Sequence, residues 1–271
     1  MSIEKFNLQL AGRTLTLFFE LDSEFYSDQV LAHMLPRGIL PEPEVINALP
    51  HFLEPGDCAI DAGANIGFFT IIMSKLVGKN DGLIIAVEPD PRNRKKLFKN
   101  LDLNDCRNVV VYEWPLAAAA GPRKFHIQSE NGSSTLYGGV DPNTGGELVK
   151  VIDTQAFTLT DVIGESKPKF LKMDIEGAEL EAIQGCDYRI PFVISEINED
   201  ALQRAGGSIE KLRFQFEAIW GHRTHVLSET GTMPAILADR HVQPIKASKA
   251  NANVLFAKEW DVVRAWPEVK L

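Results

Sequence analysis

From Cys58 onward, short continuous apolar runs alternate with longer stretches of helical period. CAIDAG reads as a strand and Phe68 to Val77 as a helix. LIIAVEPD (Leu83 to Asp90) is a second strand, and Pro91 to Leu103 a helix with proline at its first position. NVVVYEW (Asn108 to Trp114) is a third apolar run, and such runs suit strands buried on both faces of a helix-covered parallel sheet. The alternation resumes with PKFLKMD (Pro168 to Asp174), a helix from Gly177 to Gln184, FVISEIN (Phe192 to Asn198) and a helix from roughly Ile209 to Trp220. HRTHVLSE and ANVLFAKEW close the chain with no helix between them. They predict a hairpin that sets the last strand antiparallel in an otherwise parallel sheet.

Two regions break the alternation. KFHI and LVKVID flank a polar, glycine-rich stretch, HIQSENGSSTLYGGVDPNTGG, which reads as a strand pair around a long loop of the kind that often carries function. At the front, FNLQL and TLTLFFEL form a hairpin around Ala11-Gly12-Arg13, followed by a helical stretch from Glu24 to Met34 and the proline-marked LPRGILPEPEVINAL. The pattern predicts an α/β, Rossmann-like domain over residues 41–260, with helices on both faces of a mostly parallel sheet. Residues 1–40 form an N-terminal hairpin and helix extension, and 261–271 a C-terminal tail.

Composition narrows the function classes. The chain has 271 residues, 45% hydrophobic and 24% charged, as in an ordinary soluble domain with a large core. A net charge of −9 argues against nucleic acid as a partner, and RNRKKLFK (Arg92 to Lys99) reads as the solvated face of a helix. Cys58, Cys106 and Cys186 are far apart with no CxxC spacing, so neither disulfides nor a zinc site are expected, and a reducing cytoplasm is the expected location. No apolar run reaches the length of a membrane span, and Met1 to Asp22 lacks a signal-peptide layout.

The chemistry gathers where strands end. In AIDAGANIGFFT (Ala59 to Thr70), Asp61 closes a strand, Gly63 and Gly67 mark a turn, and Asn65 stands where a dinucleotide fingerprint has its middle glycine. A pyrophosphate needs bare backbone N–H donors at a helix N-terminus. Asp61 and Asn65 instead suit a ligand with an ammonium, a carboxylate and a ribose but no phosphate, and S-adenosylmethionine answers that description. Glu88, at the next strand end, falls near the spacing at which an acidic residue takes ribose hydroxyls.

DAGANIGFFT, AVEPDPRNRKKLFKNLDLN, FLKMDIEGAELEAIQG and ISEIN together resemble the FkbM-type S-adenosylmethionine-dependent methyltransferases, over about Pro41 to Ala257. The resemblance implies the class I methyltransferase fold, with a seven-stranded sheet whose last strand is antiparallel. It matches Asp61, Gly63, Asn65 and Gly67 to the cofactor turn and Glu88 to the ribose-binding acid. Leu116 and Ala117 fall beside the adenine, and Ser133 and Ser134 in a short polar patch that meets substrate. It also implies methylation of hydroxyl oxygens on sugars, glycolipids or natural products.

An alcohol is a poor nucleophile, so a base is needed near the transferred methyl group. Asp174 and Glu176 (in KMDIEGAE) and Glu196 (in ISEIN) are the candidate catalytic acids, Asp174 also bordering the cofactor, with Asn198 as a substrate contact. Asp174 ends a buried strand, where an unpaired charge is costly. Asp174 and Glu176 also suit a helix N-terminus, where the dipole favours acids. Glu179 and Glu181 read as solvated. Asp174, Glu196 and Asn198 would together accept Mg²⁺, but no tight His–Asp pair reinforces that, and no metal is assigned. Lys172, inside a buried strand, is expected to pair with one of these acids. His126, His222 and His225 read as packed or surface residues, and Trp260 and Trp266 as covers for a cleft or a dimer face. The expected partner is a small-molecule or glycan acceptor, and a homodimer is compatible with the sequence. Three alternatives stay open: N- or carboxyl-methylation on the same fold, a nicotinamide-dependent oxidoreductase, and a binding or scaffold protein that kept the fold.

Overall fold

A computed structural model describes residues 2–10, 12–23, 25–130, 132–138, 146–230, 232–236 and 252–266. Ala11 of the first turn, Glu24, Asn131, residues 139–145 of the glycine-rich loop and parts of the tail lie outside them.

The N-terminal hairpin is β1 (Ser2–Leu10) and β2 (Arg13–Leu21), paired antiparallel from Ser2↔Leu21 to Leu10↔Arg13. Helix α1 (Tyr26–Met34) and helix α2 (Pro43–Phe52) follow. Sequence reasoning passes over α2 because its prolines look like breakers. Pro43 sits in the first turn, where its missing N–H costs nothing, and Pro50 falls in the last turn.

The alternating core then runs β3 (Cys58–Ala62), α3 (Phe68–Val77), β4 (Leu83–Val87), α4 (Pro91–Leu103) and β5 (Val109–Tyr112). A separate antiparallel ribbon, β6 (Gly121–Gln128) with β7 (Leu148–Ala156), carries the glycine-rich loop. Next come α5 (Leu159–Ile163), β8 (Phe170–Met173), α6 (Glu179–Gln184), β9 (Phe192–Ile197), α7 (Glu199–Arg204) and α8 (Ile209–Phe214). Helix α8 continues as a π-helical turn over Gln215–Ile219. The chain ends with β10 (Arg223–Val226), β11 (Ala235–Ile236), β12 (Ala252–Ala257) and α9 (Glu259–Ala265).

The main sheet has the order β11-β10-β12-β9-β8-β3-β4-β5. β3, β4, β5, β8 and β9 are parallel, while β12 runs antiparallel between β9 and β10. This is the class I methyltransferase arrangement, extended by the two-residue edge strand β11. Alternate residues of each central strand enter opposite cores. Ala59 and Phe170 pack with the N-terminal hairpin, α2 and α3, whereas Ile60 and Leu171 pack with α6, α8 and Phe216. The hairpin thus shares a core with the sheet through Leu17, Phe19 and Phe68.

Two expectations are corrected. NVVVYEW is not buried on both faces: β5 is an edge strand with Val110 exposed, so its β-branched run reflects strand preference rather than double burial. RNRKKLFK is not a solvated face either. Lys96 is buried in an ion pair with Asp28, and Lys99 pairs with Glu20, so α4 fastens the N-terminal extension to the domain.

Candidate active site

Four of the parallel strands, β3, β4, β8 and β9, bring acids to the carboxyl edge of the sheet, where doubly wound folds hold their ligands. After β3 the chain turns through Gly63, Asn65 and Gly67 at φ of 86°, 50° and 95°. Gly63 is fixed by close approach, since a Cβ there would stand 1.8 Å from the Asp174 carbonyl oxygen. The N–H groups of Gly63 and Ala64 donate to Val87 O at 2.9 and 3.0 Å, tying the turn to the end of β4. Gly67 precedes α3 and faces Leu97, which a Cβ would meet at 2.7 Å, so its constraint is helix packing.

Glu88, just past β4, accepts from the backbone N–H of Asn65 at 2.7 Å and of Asp90 at 2.8 Å, one on each oxygen. The Asn93 side chain also hydrogen-bonds this carboxyl, and some acceptor capacity remains. Burial nevertheless pushes this carboxyl up to about 8. Above its ordinary value of 4.5 the folded chain therefore holds a proton that the unfolded chain releases. Stability from this group is complete below 4.5 and is lost as pH rises through about 8. The thermal midpoint is expected to fall across that window, and Glu88→Gln should flatten the slope; an unchanged slope would show that Glu88 titrates normally.

Glu88, Asn93, Leu116, Phe125, Leu136 and Ile175 help line a first chamber, in which apolar and polar side chains are mixed. Ala117 lies behind it, fully buried, its N–H donating to Phe157 O at 2.9 Å. Ser134 also lines the chamber, and its hydroxyl donates to Asp90 Oδ2 at 2.9 Å. Thr135 Oγ1 donates to Glu176 O at 2.8 Å. These two bonds tie Ser134 and Thr135 to the turns after β4 and β8. Ser133 is buried outside the lining.

A second chamber shares Gly63, Asn65, Gly132, Asp174 and Glu176 with the first. Asp61, Lys172 and Glu196 form its floor, while Tyr26, Ser27 and Glu42 of the N-terminal segment face them. Asp61 is the register neighbour of Lys172 across β3 and β8, and it accepts from Thr70 Oγ1 at 2.5 Å. Lys172 Nζ lies 3.2 Å from Asp174 Oδ2, 3.7 Å from Glu42 Oε2 and 4.5 Å from the Phe69 ring centre. Burial alone would lower its pKa, but Asp174, Glu42 and Asp61 together hold it above the usual lysine value, so it stays an ammonium.

Burial raises the Asp174 carboxyl, yet Lys172 and a hydrogen bond with Glu196 bring it below its ordinary value. Burial and the charge of Asp174 push Glu196 the other way, well above 4.5. The two carboxyls form a coupled pair in which Glu196 carries a proton and Asp174 the charge. Oxygens of Asp174, Glu176 and Glu196 all lie within 4.8 Å of one another, a spacing a divalent cation also accepts.

The remaining sequence candidates lie elsewhere. Asn198 caps α7, its Oδ1 accepting from Ala201 N–H at 2.9 Å, and lines neither chamber. Glu179 is not solvated as expected: it is buried, and its Oε1 accepts from Ile175 and Gly177 N–H at 3.1 and 3.3 Å. That bonding shapes the turn in which Glu176 adopts φ 54°. Burial lifts Glu179 to about 7. His222 packs 5.9 Å from Phe216, and burial lowers it to about 4. Trp266 stacks on His51 at 4.0 Å, while Trp260 is exposed. Glu42, Tyr26 and Asn93 escape sequence reasoning. Only the bracketing prolines at 41 and 43 flag Glu42.

Comparison with known proteins adds a lineage. The chain is 30% identical over 148 residues to "Methyltransferase 1" of Beauveria bassiana, covering 47% of this chain and 57% of that protein. It is 28% identical over 175 residues to "Hexuronic acid methyltransferase AglP" of Haloferax volcanii, covering 60% of this chain and 64% of that one. The chain thus spans about three fifths of the length of these curated relatives. A solved "Methyltransferase FkbM" from Methylobacillus flagellatus KT aligns at 17% identity and a TM-score of 0.46, over 84% of this chain and 57% of that one. The profile of the "Methyltransferase FkbM domain" matches residues 61–232, from the acid that closes β3 to the segment after β10. That span holds the glycine turn, Glu88 and the Asp174–Glu196 pair, and with it the chain belongs to the FkbM methyltransferase family.

Proposed function

We propose that the protein is an S-adenosylmethionine-dependent O-methyltransferase acting on a hydroxyl of a saccharide or related small molecule. The observation that carries this reading is the junction of the two chambers at Gly63, Asn65, Asp174 and Glu176. It allows a nucleoside on one side and an acceptor on the other to meet beside the carboxyl pair. The residues fit the cofactor. Glu88 has acceptor sites for ribose hydroxyls, Leu116 and Ile175 flank an apolar slot for adenine, and Gly63 keeps the turn bare of side chain. Asp61 and Asn65 line the second chamber within reach of an amino-acid tail.

When bound, S-adenosylmethionine supplies a methyl group on a sulfonium, an electrophile that needs no further activation. The chain's own work is to orient the acceptor oxygen and receive its proton. Asp174, held ionised by Lys172, takes the proton into the pair it forms with Glu196, which then holds one proton more. The pair is then uncharged, and Lys172 keeps Glu42, 3.7 Å away, as a neighbouring acid until the proton passes on. Because that ammonium already stands beside Asp174, the reading takes no metal. The AglP relative, a hexuronic acid methyltransferase by name, is consistent with a sugar acceptor.

Titration with S-adenosylmethionine, S-adenosylhomocysteine and NAD tests the cofactor. Micromolar binding of the first two and none of NAD is expected, and NAD binding alone would move the protein to the oxidoreductases. Asp174→Asn should retain S-adenosylhomocysteine and lose turnover by about 10²-fold or more, the range for a lost acid–base group. Chelation with EDTA should leave the wild-type rate unchanged. Full activity of the Asp174 variant would demote that residue to a structural acid.

A further inference from the structure

The second chamber has a composition that the family match does not account for. Its roof comes from Tyr26, Ser27 and Glu42, all before the matched span of 61–232. Two attachments hold that roof in place: the buried Asp28–Lys96 pair, and Ser27, whose hydroxyl accepts from Asn65 Nδ2 at 2.9 Å. Glu42 adopts φ 44°, in the left-handed region, and its carboxylate accepts from Asn253 Nδ2 at 3.1 Å. The surrounding structure therefore fixes where this carboxyl points.

Five carboxyls line the chamber against the single ammonium of Lys172; with Asp61 given to the cofactor's tail, Glu42, Asp174, Glu176 and Glu196 remain for the acceptor. That ammonium is already engaged by Asp174, Glu42 and the Phe69 ring. No second basic side chain lines the chamber among the described residues. Opposite the acids, Phe68, Phe69 and Tyr26 offer apolar faces that suit the C–H face of a saturated ring through dispersion.

Building on the methyltransferase reading above, we propose that this chamber takes an uncharged polyhydroxyl acceptor, a neutral glycoside or polyol ring, and rejects carboxylated sugars. Hydroxyls donate to ionised carboxylates and accept from protonated ones, so a polyol pairs with the lining in either state. An incoming carboxylate meets like charge with no uncommitted cation, and enters only with uptake of a further proton. An amine acceptor fails differently: the acids keep it protonated, and an ammonium has no lone pair to attack a methyl group. Glu42 makes this selectivity a property of the N-terminal segment rather than of the matched domain.

The test uses the full chain with radiolabelled S-adenosylmethionine. Neutral probes are methyl β-glucopyranoside, methyl β-xylopyranoside and myo-inositol, and the matched acid is methyl β-glucopyranosiduronate. Label is expected in at least one neutral probe, with kcat/KM for the uronate lower by about 100-fold, the scale of like-charge rejection in a shaped site. Glu42→Gln should narrow that ratio by about tenfold, since it removes one of the acids that must be neutralised when a carboxylate enters. Equal or better use of the uronate overturns the proposal, as does label in no neutral probe, while calorimetric binding of S-adenosylhomocysteine keeps the methyltransferase reading intact. Failure of S-adenosylhomocysteine to bind overturns both.

Discussion

Lys172→Met is expected to destabilise the protein by about 3–5 kcal/mol, the cost of leaving buried charges without their partner. Lys172 is almost fully buried, at 2% exposure, and carboxyls from four different segments depend on it. Asp174 lies 3.2 Å away and Glu42 3.7 Å, Asp61 is its register neighbour, and Glu196 acts from the next strand. Methionine matches the stem, so the loss isolates the charge rather than the packing against Phe69. The sign of the pH dependence follows. Without the ammonium, burial and mutual repulsion raise these acids further, so the folded variant binds protons that its unfolded chain releases. Its stability deficit should therefore be smallest in mild acid and grow as pH rises toward neutrality. Chemical denaturation at two pH values measures both the deficit and its direction. A deficit that is small, or that shrinks with rising pH, would show that the acids are satisfied by solvent.

That network also marks how far the sequence could be read. Its members other than Glu42 lie at strand ends or inside strands, and strand ends follow directly from apolar runs interrupted by Asp61, Glu88, Asp174 and Glu196. In the structure Asp61, Asp174, Glu176 and Glu196 line one chamber, and Glu88 the adjoining one. The strands, the β10–β12 pairing and the β6–β7 ribbon were legible for the same reason, since period and turn residues encode them locally. Helix α2 and Glu42 were not. Their placement depends on α2 packing against the sheet through Phe52, which meets Phe170 and Phe192, residues far apart in the chain. Lys96 and Glu179 failed in a related way. A charged side chain on a helix is solvated by default, and only a tertiary partner, Asp28 for one and the Ile175 and Gly177 amides for the other, reverses that. Asn198 shows how one sequence position serves two roles: a polar residue at a strand end suits a ligand contact, and here it also caps the next helix.

Gly63→Ala is expected to remove cofactor binding and to cost more than about 4 kcal/mol, at the extreme of single-residue effects. Two constraints coincide at this position. The φ of 86° lies where a Cβ is strained, and the Cβ itself would stand 1.8 Å from the Asp174 carbonyl oxygen. Neither neighbour can yield cheaply. The Asp174 backbone is held by its own N–H donating to Ala62 O at 2.9 Å, and Gly63 by its bond to Val87 O at 2.9 Å. Relieving the overlap means parting the ends of β3 and β8, which also moves Asp61 and the glycine turn away from Lys172 and Asp174. Two other glycines separate the causes. Gly12 has a similar φ of 73° but open space around it, so Gly12→Ala should cost only about 1 kcal/mol from backbone strain. Gly132 lines both chambers, yet a Cβ there meets only Asn65 Nδ2, at an ordinary 3.7 Å, so Gly132→Ala should keep the fold and bind S-adenosylhomocysteine. Thermal melts and calorimetry on the three variants decide the matter. If Gly63→Ala behaves like Gly12→Ala, the junction of β3 and β8 is looser than its hydrogen bonds imply, and the carboxyl pair at its edge cannot be held in one geometry for proton transfer.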